Sequence, residues 1–400
     1  MSERWWREAW PARRLATLFA AQARPMQPEL EVLSVYRDYG VVSKASRSDN
    51  FNRTPDGAES YQAVRAGDLV VNRMKAWQGS LGVSDFEGLV SPDYEVLAPT
   101  TNDLDPRFAH VLLRSTPMID EYGMRSTGIR PSQWRLYWEQ MRTITIPVPP
   151  LEEQRAIADY LDRETARIDM LIEEQQRLIE MLRERREATI RRALLCGLEA
   201  ADTAPSEVDL LGGVPKHWRM VPTRYLCTIT TGSEDSGNAT EDGDYPFYVR
   251  GRQVLRIDHY SFDGEAVMTP GDGQGGTGKV FHYFNGKFEA HQRVYVFKDF
   301  VGILAWYFYY FLSTFLRPVA LAGSNTVTME SLRRPLLADF KVALPPLDEQ
   351  RRITAYLDER TGKIDTLIAE TEQFIELARE RRAALITAAV TGQIDLHEVA

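Results

Sequence analysis

Hydrophobic residues recur along two stretches of the chain at the spacing of one helical face. In the first, Leu161, Ile168, Leu171, Ile172, Leu178, Ile179 and Leu182 stand three, four and seven apart with charged residues between them. That is the pattern of an amphipathic helix with a coiled-coil-like stripe. The second stretch repeats it with Leu357, Ile364, Leu367, Ile368, Phe374, Ile375 and Leu385, and its helix is expected to stop near Gly392. Each stretch opens on a Pro-Pro pair, which cannot continue a helix from upstream but suits the entrance of one. Glu152-Glu153 and Asp348-Glu349 follow, where the helix dipole favours negative charge. Polar Gln175 and Thr371 interrupt the stripes at matching points, a device that fixes register. Two separate helices on separate cores would also fit. Matching stripes favour a shared seam, read here as Leu161, Ile168, Leu171, Ile172, Leu178 and Ile179 against Leu357, Ile364, Leu367, Ile368, Phe374 and Ile375.

The two stretches are copies of one another. Pro149-Pro-Leu-Glu-Glu-Gln-Arg155 returns as Pro345-Pro-Leu-Asp-Glu-Gln-Arg351, an offset of 196, and 25 of the 45 positions from Pro149 to Ala193 are identical at that offset. The intervening blocks are related more distantly. Pro11-Ala-Arg-Arg-Leu15 matches Pro222-Thr-Arg-Tyr-Leu226 at an offset of 211, each after a Trp-Arg pair, Trp6-Arg7 and Trp218-Arg219. Both blocks hold a Gly-Asp turn and short β-rich runs such as Asp68–Asn72 and Arg293–Phe297. The order is therefore variable block 1–148, helix block 149–205, variable block 206–344 and helix block 345–400, with a linker over Leu198–Gly213. The fold expected is α+β: two mixed α/β heads separated by two long antiparallel coiled-coil-like helices, a pseudo-two-fold internal repeat.

Composition agrees with more than one core, since 400 residues exceed the ~250 to 300 at which single cores stop growing. Two cysteines cannot staple the chain, which suits a reducing compartment. Charges near the start, in Met1-Ser-Glu-Arg-Trp-Trp-Arg-Glu, stand where a signal peptide needs apolar residues, so a cytoplasmic location is expected. The uncharged run Val301–Leu316 is 16 residues, short of the ~20 needed to span a bilayer, and is expected to be buried inside a domain; no membrane partner is expected. The net charge of −9 resides in the helix blocks, −6 over 151–213 and −4 over 347–400. The variable blocks are near neutral, so the total does not exclude nucleic acid.

Catalytic constellations are not found. Pro92-Asp93 and Asp339-Phe-Lys341 contain nuclease-like residues but lie far apart in the chain. Amino-methyltransferases place Asn, Asp or Ser before Pro-Pro and an aromatic residue after it; here Val148 or Leu344 precedes and Leu151 or Leu347 follows. Gly273-Gln-Gly-Gly-Thr-Gly278-Lys279 has phosphate-loop spacing, but Val280 stands where a metal-binding Ser or Thr belongs, and Val280–Phe284 reads as strand. Six histidines and two cysteines show no zinc spacing. No cofactor, metal or catalytic residue is expected in this chain.

The duplicated Pro-Pro-Leu-(Glu/Asp)-Glu-Gln-Arg entrances, the helices behind them, and Leu195-Cys-Gly197 with Val390-Thr-Gly-Gln-Ile394 at their ends resemble the specificity subunits of type I restriction-modification enzymes. The resemblance covers essentially the whole chain. The Cys-Gly of the first copy departs from the Thr-Gly of the second. The resemblance implies two target recognition domains, each reading half of a bipartite site on double-stranded DNA, and helices that set the spacing and dock methyltransferase subunits, two of them expected. Motor-nuclease subunits complete the assembly, and S-adenosylmethionine, ATP and Mg are expected in those partners. Side-chain types able to contact bases or phosphates are Arg47, Asn52, Asn72, Arg73, Lys75 and Gln78 in the first block. In the second they are Arg250, Arg252, Gln253, Lys279, Arg293 and Asn325. A coiled-coil scaffold that reads no sequence is the alternative.

Overall fold

A computed structural model describes residues 5–46, 60–130, 133–199, 201–205, 211–272, 278–322 and 331–394. The chain forms two compact units, Met1–Gln176 with Glu372–Ala400, and Arg177–Thr371. Both expected helices are continuous, Leu151–Cys196 and Leu347–Val390. Each therefore lends one part of its length to each unit.

In the first unit Phe19–Ala21, Tyr94–Pro99, Leu69–Asn72 and Leu81–Val83 form an antiparallel sheet in that order. Side chains alternate across it, as a pleat requires. Leu69, Val71 and Leu97 face the helices Pro106–Leu113 and Thr116–Arg125 through Phe108, Leu112 and Tyr122. Val70 and Val96 face the other way, onto Leu33, Val35, Val41, Val64 and Val90. The main core continues into the long helices through Ile157 and Leu161 of the first and Ala389 and Val390 of the second.

The second unit has six strands in the order Thr228–Thr231, Val294–Lys298, Phe262–Pro270, His282–Ala290, Tyr245–Tyr248, Val254–Ile257. All neighbours are antiparallel except Tyr245–Tyr248 beside His282–Ala290. The uncharged run forms the helix Ala305–Ala322, with Tyr307, Phe308, Phe311, Leu312, Phe315 and Leu316 fully buried against Val267 and Phe297 of the sheet. No helix among the described residues is long and apolar enough to cross a membrane. Ile190, Ala193 and Leu194 of the first long helix and Ile353 and Leu357 of the second complete this core.

Within each unit the long helices run antiparallel. In the first, the start of the first helix packs with the end of the second, and Asp169 further along meets Arg382 further back, with Nη2 donating to Oδ2 at 3.1 Å. In the second unit Ile190 packs in one core with Leu357, and Arg186 Nε donates to Asp365 Oδ1 at 2.8 Å. These are the same two positions of the repeat, 196 residues apart, with donor and acceptor exchanged between helices.

Burial redraws the seam. Leu161, Ile168 and Ile179, with Leu357, Ile364 and Ile375, are buried, as are Ile172 and Ile368 in part. Leu171 (40% exposed), Leu178 (37%), Leu367 (49%) and Phe374 (46%) lie outside it. At ~100° per residue, a position three beyond Ile168 stands ~60° round the helix, off the contact line. Gln175 and Thr371 do fall in phase with the buried set, and Thr371 is buried.

The head offset is also corrected. Ala12–Arg14 pairs with Thr145–Pro147 so that Ala12 faces Pro147, whereas Met220 of Arg219–Pro222 faces Ala343. Leu15 N donates to Ile144 O at 2.9 Å and Thr223 N to Phe340 O at 2.9 Å. These equivalences give an offset of 208, not 211, and make Trp10 rather than Trp6 the counterpart of Trp218.

The entrance motif fastens each head to its helix. Gln154 is fully buried; its Oε1 accepts from Asp105 N (2.8 Å) and its amide donates to Asp103 O (2.8 Å) and Pro149 O (2.7 Å). Gln350, also fully buried, accepts from Leu304 N (2.8 Å) and donates to Pro345 O (2.9 Å) and Gly302 O (3.3 Å). Each glutamine satisfies backbone groups at the start of a head helix and holds them to the Pro-Pro turn, since buried polar groups must be paired.

Candidate nucleic-acid interface

In the second unit a cleft of about 650 Å³ opens between the first long helix, the helix Ala305–Ala322 and the turn before strand His282–Ala290. Its walls carry Arg183, Arg186 and Glu187 from the long helix, Arg252 from the loop after Tyr248, and Lys279, Val280, Phe281 and His282. Tyr309, Tyr310, Ser313 and Thr314 line the rest. Ile190, one turn beyond Arg186, is buried in the core, so the rotation of the helix is fixed and its arginines face the cleft.

Electrostatics favour an anion here. Arg252 and Lys279 are exposed and form no ion pair recorded among the described residues. Arg186 is shared with Asp365, and Glu187 is the carboxylate of the lining. Burial pushes His282 below the ordinary histidine range, with its contact to Gly251 O opposing, so it adds little charge near neutral pH. Burial raises the Tyr309 phenol, keeping it a donor. Tyr310 is raised by burial and then by its hydrogen bond to Asp358 Oδ1, 2.7 Å away.

Two other candidates of this unit have structural partners. Arg250 and Arg293 converge on Asp272, the first at 3.7 Å, tying the strand end to the following turn. Gln253 is exposed beside Arg252. In the first unit Asn72 Oδ1 accepts from Met74 N at 3.1 Å and caps a turn. Arg73 Nε donates to Asp93 O at 2.9 Å and Nη2 to Pro92 O at 2.5 Å, so it braces a loop. Lys75 and Gln78 stand exposed on the turn that these two fix. Arg47, Asn52 and Asn325 lie outside the described residues. Arg183 and Arg186 were not singled out by sequence, because a run of charged residues within a helix reads as a solvated face.

The nuclease-like residues are structural neighbours of other groups: Asp339 is paired with Arg224, and the Pro92-Asp93 carbonyls are held by Arg73. The strand expected after the Gly-rich turn forms at His282–Ala290. Among the described residues no group of three His, Cys, Asp or Glu could hold a metal.

The family model for the type I restriction modification DNA specificity domain matches residues 8–181 and 215–377, one copy in each half. The chain is 30% identical over 183 residues to the EcoDI specificity subunit of Escherichia coli, a match that covers 46% of this chain and 40% of that subunit. It is 22% identical over 374 residues to the MjaVIII specificity subunit of Methanocaldococcus jannaschii, covering 84% of this chain and 83% of that one. A solved chain from a type I R-M system shares the fold at a TM-score of 0.73 and 17% identity, with 97% of this chain and 99% of that chain covered. The HsdS subunit from Thermoanaerobacter tengcongensis follows at 0.54 and 16%, with 97% and 98% covered.

Proposed function

Because the chain belongs to the family of type I restriction-modification DNA specificity domains, we propose that it is the non-catalytic, DNA-reading subunit of such an enzyme, each head reading one half of an asymmetric bipartite site. The supporting observation is a repeated frame with unlike inserts. The Trp–Glu contact, the buried glutamine and the closing strand recur in both units, whereas the sheets they carry have four and six strands. A frame held constant around differing surfaces suits two readers of different sequences better than a scaffold that reads none.

The outer faces of the long helices support partner docking. Leu171, Leu178 and Met181 are exposed and recur 196 residues later as Leu367, Phe374 and Leu377, also exposed. Repeated apolar exposure of this kind marks protein contacts. Two methyltransferase subunits are proposed to dock there, with motor-nuclease subunits joining them; S-adenosylmethionine, ATP and Mg belong to those partners. The test is to co-express the chain with its type I modification subunit and to map methylated positions across a genome. A split, non-palindromic motif is expected; random or absent methylation by an intact complex would overturn the reading.

A further inference from the structure

We propose that two loops clipped together in the first head form its groove contact with duplex DNA: Ile129, at the tip of one, enters a groove and meets base edges, while Lys75, Arg130 and Arg135 hold phosphates beside it. The proposal rests on the reading of the heads as DNA-binding units and names the surface by which the first one reads.

The first loop is the turn Arg73–Ser80 between the antiparallel strands Leu69–Asn72 and Leu81–Val83. The second follows the helix Thr116–Arg125. Its arms are joined by Thr127 and Arg135, each donating its N–H to the other's carbonyl, at 3.0 and 2.9 Å, and Gln133 N donates to Arg130 O at 2.8 Å. Gly128 lets the arms close, since a Cβ there would stand 2.7 Å from Gln133 O. Leu136 N donates to Arg73 O at 2.9 Å, and Trp134 meets Trp77 edge-on with ring centroids 5.5 Å apart, so the two loops are held as one piece.

The second head builds the same clip on a different turn. Its strands Phe262–Pro270 and His282–Ala290 are also antiparallel neighbours. Leu332 N donates at 2.6 Å to the carbonyl of Gly271, the first residue after its strand, as Arg73 is after Leu69–Asn72. Leu332 lies 196 residues beyond Leu136, the offset of the helix repeat. The clip therefore belongs to the repeated frame, whereas the turns it holds differ in sequence: Met74-Lys75 follows Arg73, and Asp272 follows Gly271. A frame that presents unlike loops at one repeated place marks that place as the reading surface.

The chemistry of this surface in the first head fits a groove. Ile129 is 96% exposed on a tip whose base is braced, so it projects outward instead of covering a core. Lys75, Arg130 and Arg135 are exposed, and among the described residues none of the three has a carboxylate partner. The nearby Arg73 and Arg125 do, in Glu95 and Glu121. An apolar tip on a surface with unpaired cations matches duplex DNA, where apolar base edges such as the thymine methyl lie between rows of phosphates. The apolar stripes assigned to protein docking lie instead on helix blocks of net negative charge.

The chain assembled with its modification subunits is measured by fluorescence anisotropy over a salt series, on a duplex carrying the parent's methylated motif and on a mixed-sequence duplex. Ile129→Ala should weaken binding to the motif duplex roughly tenfold, the effect of about two buried methyl groups, with the slope of log K against log salt unchanged. Lys75→Gln/Arg130→Gln should lower that slope by about 1.8 on both duplexes, at about 0.9 for each phosphate contact. Methylome sequencing of Ile129→Ala should show relaxed choice in one half of the motif only. Melting temperatures should be unchanged, because all three side chains are exposed. Parent-like affinity of Ile129→Ala, or an unchanged slope in the double variant, overturns this surface and leaves the DNA-reading function standing. Parent-like DNA binding with impaired capture of modification subunits in gel filtration overturns it in favour of a protein contact. Failure of the parent assembly to bind any duplex overturns both readings.

Discussion

Trp218 donates its indole N–H to Glu349 Oε2 at 3.1 Å, across the junction between the second head and the start of its long helix. Trp10 and Glu153 make the same contact at 3.1 Å in the first unit. The opposite helix end closes over each pair. Gly392, with φ +73°, leaves room for Trp10 where a Cβ would stand 2.9 Å from the ring, and Gly197, also at +73°, does so beside Glu349 and Trp218. Here a glycine is needed for its backbone angle and for the space.

Gly392→Ala should therefore destabilise the first unit. The left-handed angle alone costs about 1–2 kcal/mol in an L-residue, and Trp10 must shift as well. A melting temperature lowered by roughly 2–8 °C is expected in calorimetry. An unchanged transition would show that the helix end can refit without this glycine.

Neighbouring positions on the second long helix separate fold from docking. Ile375 is 5% exposed and Phe374 is 46% exposed. Ile375→Asp buries a carboxylate with no partner and should lower the melting temperature sharply. Phe374→Asp should leave melting within a degree or two of the parent and weaken capture of the modification subunit. Equal thermal damage from the two, read by circular dichroism, would place Phe374 in the seam.

The repeat of the helices was legible because a seam and an entrance turn constrain residue type at many consecutive positions. Its finer features were less so. Leu171 and Leu178 are as apolar as Ile168 and Ile179, and composition cannot say which stripe meets the other helix and which faces outward. The head offset was misread at Trp6 because three tryptophans, Trp5, Trp6 and Trp10, lie close together, and it is the strand register and the hydrogen bond to Glu153 that distinguish Trp10. Arg73 and Arg250 qualified as DNA contacts by type, yet their guanidiniums have partners from distant residues, 19 or more positions away. Gln154 and Gln350 stood in the motif without a stated role, since their partners are backbone groups of the preceding block.

A pH dependence follows from His110. Its Nε2 lies 2.7 Å from Arg114 Nη1 and Nδ1 lies 3.1 Å from Val83 O. Arginine can only donate, so Nε2 accepts and Nδ1 carries the proton to the carbonyl. Burial, then the charge of Arg114, lower the pKa of His110 below 6.5. With the folded value depressed, the unfolded chain binds the proton first, so stability is intact above about 6.5 and is lost as pH falls from there toward the folded value. Between pH 7 and 5 the melting temperature should fall less in His110→Asn than in the parent. His282 and His291, lowered chiefly by burial, keep part of the slope. Identical pH profiles would remove His110 from the account.

The two heads should contribute specificity separately. Each unit has its own closed core and its own strand pair, Ala12–Arg14 with Thr145–Pro147 or Arg219–Pro222 with Lys341–Leu344, that seals the head immediately before its Pro-Pro turn. Exchanging residues 214–344 for the corresponding block of a relative cuts the chain only at these seals, provided Trp218 and the backbone partners of Gln350 are retained. One half of the methylated motif should then change to that of the donor while the other half stays as it was. A single base contact is worth about 1–3 kcal/mol, so replacing only Arg252 or Lys279 should at most blur one position of that half or weaken all sites evenly. Methylome sequencing reads both halves at once. Alteration of both by the exchange would mean that the heads do not read independently, and the assignment of one half-site to each would have to be withdrawn.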